Sequence, residues 1–246
     1  MHEIIVKVEN LTKRYPNLVA VDNISFTLRQ GSNTALLGGN GAGKTTTISM
    51  LLGLLLPTSG SITVLGHDML RDRYAALRHI NFSSPYVDLP MRLSVRENLQ
   101  VYGRLYGVAN LSDHLASLAQ DLALTDLLDR PYGSLSAGQK TRVSIAKSLI
   151  NQPQLMLLDE PTASLDPDTA DWVRSYITAY QRRTGASILM ASHNMQEVER
   201  MCDNVLIMRA GHIVDEGAPA ALIAKYGRTN MEEVFLHIAR DKQGAA

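Results

Sequence analysis

An α/β fold with a mainly parallel central sheet is predicted by three observations. The apolar runs Leu155–Leu158 and Ile188–Met190 show no polar alternation, so they read as strands covered on both faces. Helical patterns separate them from each other and from earlier β-like runs, as in a layered α/β domain. Asn33-Thr34-Ala35-Leu36-Leu37 reads as a third buried strand. It enters the glycine-rich stretch Gly38-Gly39-Asn40-Gly41-Ala42-Gly43-Lys44-Thr45, and a helical pattern follows from Thr46 to Leu56.

Taken in order, short β-like runs open the chain at Ile4–Val8, Ser25–Leu28, Thr34–Leu37 and Ser61–Leu65. The character changes between about Ser94 and Arg130. Ser94-Val95-Arg96-Glu97 is a capping box, after which Leu99, Leu105, Leu111, Leu115, Leu118 and Leu122 recur at helical spacing. Gly103, Gly107 and Pro131 punctuate this part, and a further helical stretch runs from Lys140 to Ile150. Residues 94–150 therefore read as a helical subdomain inserted in the sheet. Asp166 followed by Pro167 marks a helix start, and Gly185 ends that helix after about Arg183. Residues 219–246 read as a helical tail of one or two helices, with 243–246 fraying. No repeat or low-complexity segment divides the chain, so 1–246 reads as a single domain.

Size and composition narrow the function classes. A chain of 246 residues can bury a sizeable core. Lys+Arg and Asp+Glu are equal at 24 each, which gives no bulk electrostatic reason to expect a nucleic-acid partner. Cys202, the single cysteine, excludes an internal disulfide and reads as a packed small residue at a helix end. No run approaches the roughly 20 apolar residues of a membrane span, and Met1-His2-Glu3-Ile4 lacks the pattern of a signal peptide. The expected location is cytosolic, unless another protein carries the chain to a membrane.

The chemistry is concentrated in three segments. Gly38 to Thr45 fits GxxxxGK(S/T), in which glycines curl the backbone so that successive N–H groups converge on phosphate oxygens. Lys44 would reach the β- and γ-phosphates of a nucleoside triphosphate, and the Thr45 hydroxyl would ligate Mg²⁺. The strand Leu155-Met156-Leu157-Leu158 ends in Asp159-Glu160, at the sheet edge where such a loop also lies. Asp159 would bind Mg²⁺ through water, and Glu160 would orient and deprotonate an attacking water. Leu135-Ser136-Ala137-Gly138-Gln139, at the start of a helical stretch, offers a second phosphate-binding device.

With these motifs the chain resembles the nucleotide-binding subunit of an ABC transporter over about residues 4–217. The resemblance implies a phosphate-loop NTPase core, an N-terminal antiparallel β part and the inserted helical subdomain. It makes residues 38–46 (Thr46 included) the ATP-binding loop. Leu135–Gln139 matches the LSGGQ signature with Ala137 in place of a glycine, so Ser136, Gly138 and Gln139 would close over ATP held by a second cassette. Ser164-Leu165-Asp166 matches the loop that crosses such a dimer, His193 the switch histidine at the γ-phosphate, and Tyr15 the aromatic that stacks on adenine. The implied partners are a second nucleotide-binding subunit, expected as a homodimer, and an integral membrane permease. That partnership would hold the chain peripherally on the inner face of the cell membrane. Tyr86–Tyr106 resembles the docking surface for the permease, and Thr229–Leu236 resembles the C-terminal element of cassettes that serve ABC-2-type exporters.

Two positions depart from the family pattern. Gly39 stands where proline is frequent. Ser84-Pro85 stands where the Gln-loop has Pro-Gln, so no glutamine is available there; either Ser83 or Ser84 substitutes through water, or catalysis tolerates the loss. The competing reading is a non-transport ABC ATPase acting on nucleic acid or ribosomes. Chromosome-maintenance relatives insert a long coiled coil between the phosphate loop and the signature, where this chain has only about ninety residues. A small-molecule kinase would leave Leu135–Gln139 and His193 unexplained.

Overall fold

The computed structural model describes residues 3–84, 87–163 and 165–240. The chain opens with an antiparallel hairpin of two long strands, β1 (Ile4–Tyr15) and β2 (Leu18–Arg29). β4 (Ser59–Val64) pairs with the other edge of β1, and β5 (His67–Asp68) completes this sheet in the order β2-β1-β4-β5. Between these parts, β3 (Asn33–Leu37) enters the second sheet and leads into helix α1 (Lys44–Leu51).

The second sheet has six strands in the order β10-β9-β3-β8-β7-β6. Its members are β3, β6 (Ile80–Ser83), β7 (Leu155–Asp159), β8 (Ser187–Ser192), β9 (Asn204–Arg209) and β10 (His212–Gly217). All neighbours run parallel except the β9–β10 pair. The remaining helices are α2 (Arg73–Leu77), α3 (Val95–Leu105), α4 (Leu111–Asp121), α5 (Ala137–Leu149), α6 (Pro167–Thr184), α7 (Met195–Met201), α8 (Pro219–Lys225) and α9 (Met231–Arg240). The sequence expectation of an α/β chain with a mainly parallel sheet and an antiparallel N-terminal part is met.

Both faces of the parallel sheet are covered, for the reason the non-alternating strands imply. Met156 and Leu158 point into one core, with Ile188, Met190 and Val205, beneath the helices that follow residue 94 and those of the tail. Leu155 and Leu157 point into the other, with Leu189, Leu206 and Leu36, against α1 and the antiparallel sheet. A period of two thus sends alternate apolar residues to opposite faces, and each face finds its own cover. α3 starts on the predicted capping box: the Ser94 hydroxyl accepts from Glu97 N and the Glu97 carboxylate accepts from Ser94 N. Asp166 caps α6, Pro167 opens it and Gly185, at φ 70°, closes it.

Several boundaries differ from expectation. α1 ends at Leu51 and not at Leu56, because Gly53 turns the chain at φ 65°. Leu54 is then left 78% exposed, on no buried helical face. α5 begins at Ala137, three residues before the predicted Lys140, since Ser136 provides the cap. β1 and β2 extend to twelve residues each, well past the short runs read from Ile4–Val8 and Ser25–Leu28. Gly103 lies inside α3, and Leu111 packs where its side chain would stand. Cys202 caps the end of α7, and burial pushes its thiol well above the usual range. The expected fraying at 243–246 lies outside the described residues.

Candidate functional site

The parallel register brings three chain segments to one sheet edge. Leu37, the end of β3, pairs with Ser192, the end of β8, and Asp159, the end of β7, pairs with Ala191. The segments that leave those strands are Gly38–Gly43, Glu160–Ala163 and His193–Asn194. The loop, the carboxylates and the histidine therefore emerge side by side.

The loop after β3 is shaped by glycines at two close approaches. A Cβ on Gly38 would stand 2.6 Å from Met208 O, and one on Gly43 2.6 Å from Ala20 O; Gly43 also has φ 106°. Only glycine fits either place without a shift. On the other side, Gly39 and Gly41 face open space, and Asn40, Gly41 and Thr45 are exposed, with Thr46 half-buried. Ala42 is packed beneath. Lys44 is 8% exposed and donates to Gly38 O at 2.6 Å and Gly39 O at 3.2 Å. Burial lowers its pKa, and the negative charges of Glu160 and Asp159 oppose that shift. α1 begins at Gly43 with no side-chain cap and no acidic residue in its first turn. Its amide dipoles thus point, unsatisfied by the chain's own side chains, at the concavity the glycines form.

Across that concavity the carboxylates are held tightly. Asp159 and Glu160 are both 8% exposed. Burial raises the Asp159 pKa first and the neighbouring Glu160 charge adds to it, with Lys44 pulling the other way. Glu160 sits at φ 52°, an uncommon region for a residue with a side chain, and donates its N–H to Ala191 O at 2.9 Å. Its Oε1 lies 2.6 Å from His193 Nδ1, and its Oε2 accepts weakly from His193 N at 3.4 Å. The His193 side chain is itself 63% exposed. Sequence reasoning missed three partners of this cluster: Ser192, Thr162 and Glu197. Glu197 is 2% exposed, and burial raises its pKa against the bonds it accepts from Thr162 and Ser192. A signal was present, because Asn194 followed three residues later by Glu197 has the form of a cap pattern. Asn194 Oδ1 does accept from Glu197 N at 3.1 Å, but the Glu197 carboxylate turns inward.

The other predicted residues lie elsewhere. Ser136 Oγ accepts from Gln139 N at 3.3 Å and Gln139 Oε1 from Ser136 N at 3.0 Å, so the start of α5 satisfies itself. Gly138 borders Thr169 of α6, and the Arg142 guanidinium stacks 4.9 Å above Trp172. Asp166 Oδ1 accepts from Thr169 N at 3.0 Å. Among the described residues, no hydrogen bond joins Ser136–Gln139 or Asp166 to residues 38–46. Tyr15, 44% exposed, ends β1, on the hairpin whose Ala20 and Val21 border Gly43; the Lys13 ammonium lies over its ring. Pro85, Tyr86 and Ser164 lie outside the described residues. Ser83 Oγ is 3.3 Å from Ser144 Oγ of α5, and Ser84 is buried.

The donors fit a nucleotide with its cation. Oxygen ligands from Thr45 and Asp159 suit Mg²⁺, which keeps much of its shell for water and phosphate. Consistent with that, no cluster of three or more His, Cys, Asp or Glu among the described residues could cage a metal alone. The uncapped α1 and the Gly39–Gly41 opening suit phosphate oxygens.

Comparison with known proteins agrees with this geometry. The family model described as "ABC transporter" matches residues 21–163, over half of the chain. Nod factor export ATP-binding protein I of Rhizobium sp. (strain N33) is 35% identical over 237 residues, covering 96% of this chain and 78% of that protein. A solved ATP-binding subunit of an ABC transporter superposes with TM-score 0.87 over 96% of this chain and all of that one, at 24% identity. The cbiO1 protein of Clostridium perfringens, part of the ABC transporter complex cbiONQ, gives TM-score 0.79 over 97% of each chain, at 31% identity.

Proposed function

Because the chain belongs to the ABC transporter family, as an ATP-binding and ATP-hydrolysing subunit, we propose that it powers export through a separate integral membrane permease. ATP would draw two cassettes together and hydrolysis would release them. One observation supports this above the others: the paired ends of β3, β7 and β8 line up Lys44, Asp159, Glu160 and His193 at one edge. The direction of transport rests on the likeness to Nod factor export proteins, and the permease on that likeness and on cbiO1 as part of a transporter complex.

The roles below are the reading that the resemblance and the site geometry support together. The loop amides of residues 38–46 and Lys44 hold the phosphates, Lys44 giving up its contacts to Gly38 O and Gly39 O for phosphate oxygens. Thr45 and Asp159 hold Mg²⁺, which when bound neutralises charge on the phosphates. Glu160 accepts the proton of the attacking water. His193 holds Glu160 Oε1 through Nδ1, and its exposed ring can turn toward a terminal phosphate. Tyr15 stacks on the adenine. Ser136, Gly138 and Gln139, with Asp166, meet the nucleotide of the second copy, as the match to the family signature implies; among the described residues no hydrogen bond joins them to residues 38–46 of their own chain. No helix among the described residues is long and apolar enough to cross a membrane.

The substitution Glu160→Gln tests the chemistry. Turnover should fall by about 10²-fold or more, and an ATP-bound dimer should accumulate and elute as such on gel filtration. Hydrolysis at the normal rate would place the base elsewhere. For the partner, purification from detergent-solubilised membranes should recover a polytopic protein; recovery of ribosomes or nucleic acid in its place would overturn the transport reading.

A further inference from the structure

We infer that Glu197 is a positioning residue for hydrolysis, which sets the orientation of Glu160 through the hydroxyl of Ser192 and ties both to the loop that carries Thr162. The inference rests on the proposed role of Glu160 as the base. Glu197 lies in the first turn of α7, yet its side chain is buried under the sheet edge. Thr162 Oγ1 donates to its Oε1 at 2.7 Å, and Ser192 Oγ lies 3.2 Å from its Oε2. The same Ser192 Oγ lies 3.5 Å from Glu160 Oε2 and accepts from Asn194 N at 3.0 Å.

The hydrogen count makes this arrangement directional. A serine hydroxyl has one hydrogen to give, and here two carboxylate oxygens compete for it. Whatever Glu197 does at Ser192 therefore decides what Ser192 offers Glu160. The Glu197 carboxylate takes that hydrogen at the shorter contact and so fixes the Ser192 hydroxyl beside Glu160 Oε2; with Glu197 truncated the hydroxyl is free to turn, and Glu160 loses a fixed neighbour. Buried groups of this kind are worth more than surface ones, because an unmet partner is left without water. Glu160 needs such support, since its backbone occupies an unfavourable region and its other ligand, His193, is exposed. Thr162, three residues past Asp159, adds a mechanical link. The loop that carries Thr162 is thereby fixed to the same carboxylate that steers the base.

Steady-state ATPase assays of four variants, with thermal melts, decide the matter. Glu197→Ala should lower kcat by about 10- to 100-fold, the scale expected when a catalytic group is misplaced by about an ångström. KM for ATP should stay within about twofold, because no phosphate or adenine contact is touched. Glu197→Gln keeps an acceptor for Thr162 and places a donor at Ser192 Oγ, so it should retain kcat within about threefold. Ser192→Ala, a smaller change, should lower kcat about three- to tenfold and serves if Glu197→Ala does not fold. In a Glu160→Gln background, single-turnover rates should change less than about twofold on adding either substitution, since both act through the carboxylate already removed. Equal losses with and without Glu160, or an effect seen only in KM or in the melting temperature, would overturn the inference. A fully active Glu160→Gln protein would sink the parent reading instead, which is a separate result.

Discussion

Two helix N-termini in this chain are proposed to meet phosphate, and they are prepared in opposite ways. α1 starts at a glycine with no side-chain cap, over a buried lysine that donates to two backbone carbonyls. α5 starts at Ser136, with both halves of a capping box closed on each other, and stands exposed. The first is an incomplete site that a ligand would complete. The second is complete without one, so phosphate must compete with Gln139 and Ser136 for bonds already made. Under the proposed function, with ATP bound at α1 and α5 engaged only by a partner's ATP, this asymmetry is the expected one. The unsatisfied end would supply affinity, whereas the satisfied end would supply a contact that forms late and is released easily.

The largest effect should come from removing what α1 lacks without a ligand. Lys44→Met should lower turnover by about 10²–10³-fold, the usual loss when a preorganised charge at the reacting phosphate is deleted. The ligand-free protein should not become less stable, because burial of Lys44 already disfavours its charged form. Thermal melts of the apo protein beside ATPase rates check both halves. A lower melting temperature would show that the Lys44–carbonyl contacts are part of the fold rather than a placeholder for phosphate.

The second prediction inverts the pattern at α5. Ser136→Ala removes a made cap, so it should destabilise the ligand-free chain by about 0.5–2 kcal/mol. Turnover should fall by about tenfold only, and the loss should deepen at low protein concentration, where pairing is limiting. Measured by denaturant melts and by rate against protein concentration, a stability cost at Ser136 with none at Lys44 would support the contrast. The reverse order would break it.

The sequence was most legible where one motif fixes one local geometry. Gly38–Thr45, Asp159-Glu160 and the caps at Ser94 and Asp166 could all be read, because each depends on a few neighbouring residues. Strands β6, β9 and β10 were not read. β6 is four residues with Asn81 inside, and that asparagine is buried by bonds to Asn151 and Lys147 O which no local pattern announces. β10 is a half-exposed edge strand whose burial alternates but whose residues are mixed. Glu197 was missed for a related reason. An acid in the first turn of a helix reads as dipole compensation, and only the tertiary fold shows it pointing at Thr162 and Ser192.

The smallest effect sharpens the comparison at a third N-terminus, that of α6. Asp166 caps it by accepting from Thr169 N, and this bond holds its carboxyl below the usual range. A carboxyl whose folded-state pKa is lowered stabilises the fold fully above its ordinary value, 3.8. That contribution fades as pH falls from there through the lower folded-state value. Asparagine caps about as well as aspartate but has no proton to take up. Asp166→Asn should therefore leave the melting temperature at pH 7 nearly unchanged and flatten its decline below about pH 4. Its ATPase rate at pH 7 should fall only if the carboxylate also meets the partner's nucleotide, so a lower rate with an unchanged melt separates recognition across the dimer from capping. Melts of both proteins across the acid range, with ATPase rates at pH 7, decide it. An unchanged acid limb would mean that Thr169 N is satisfied equally by neutral and charged Asp166, and that this end of α6 is as self-contained as α5.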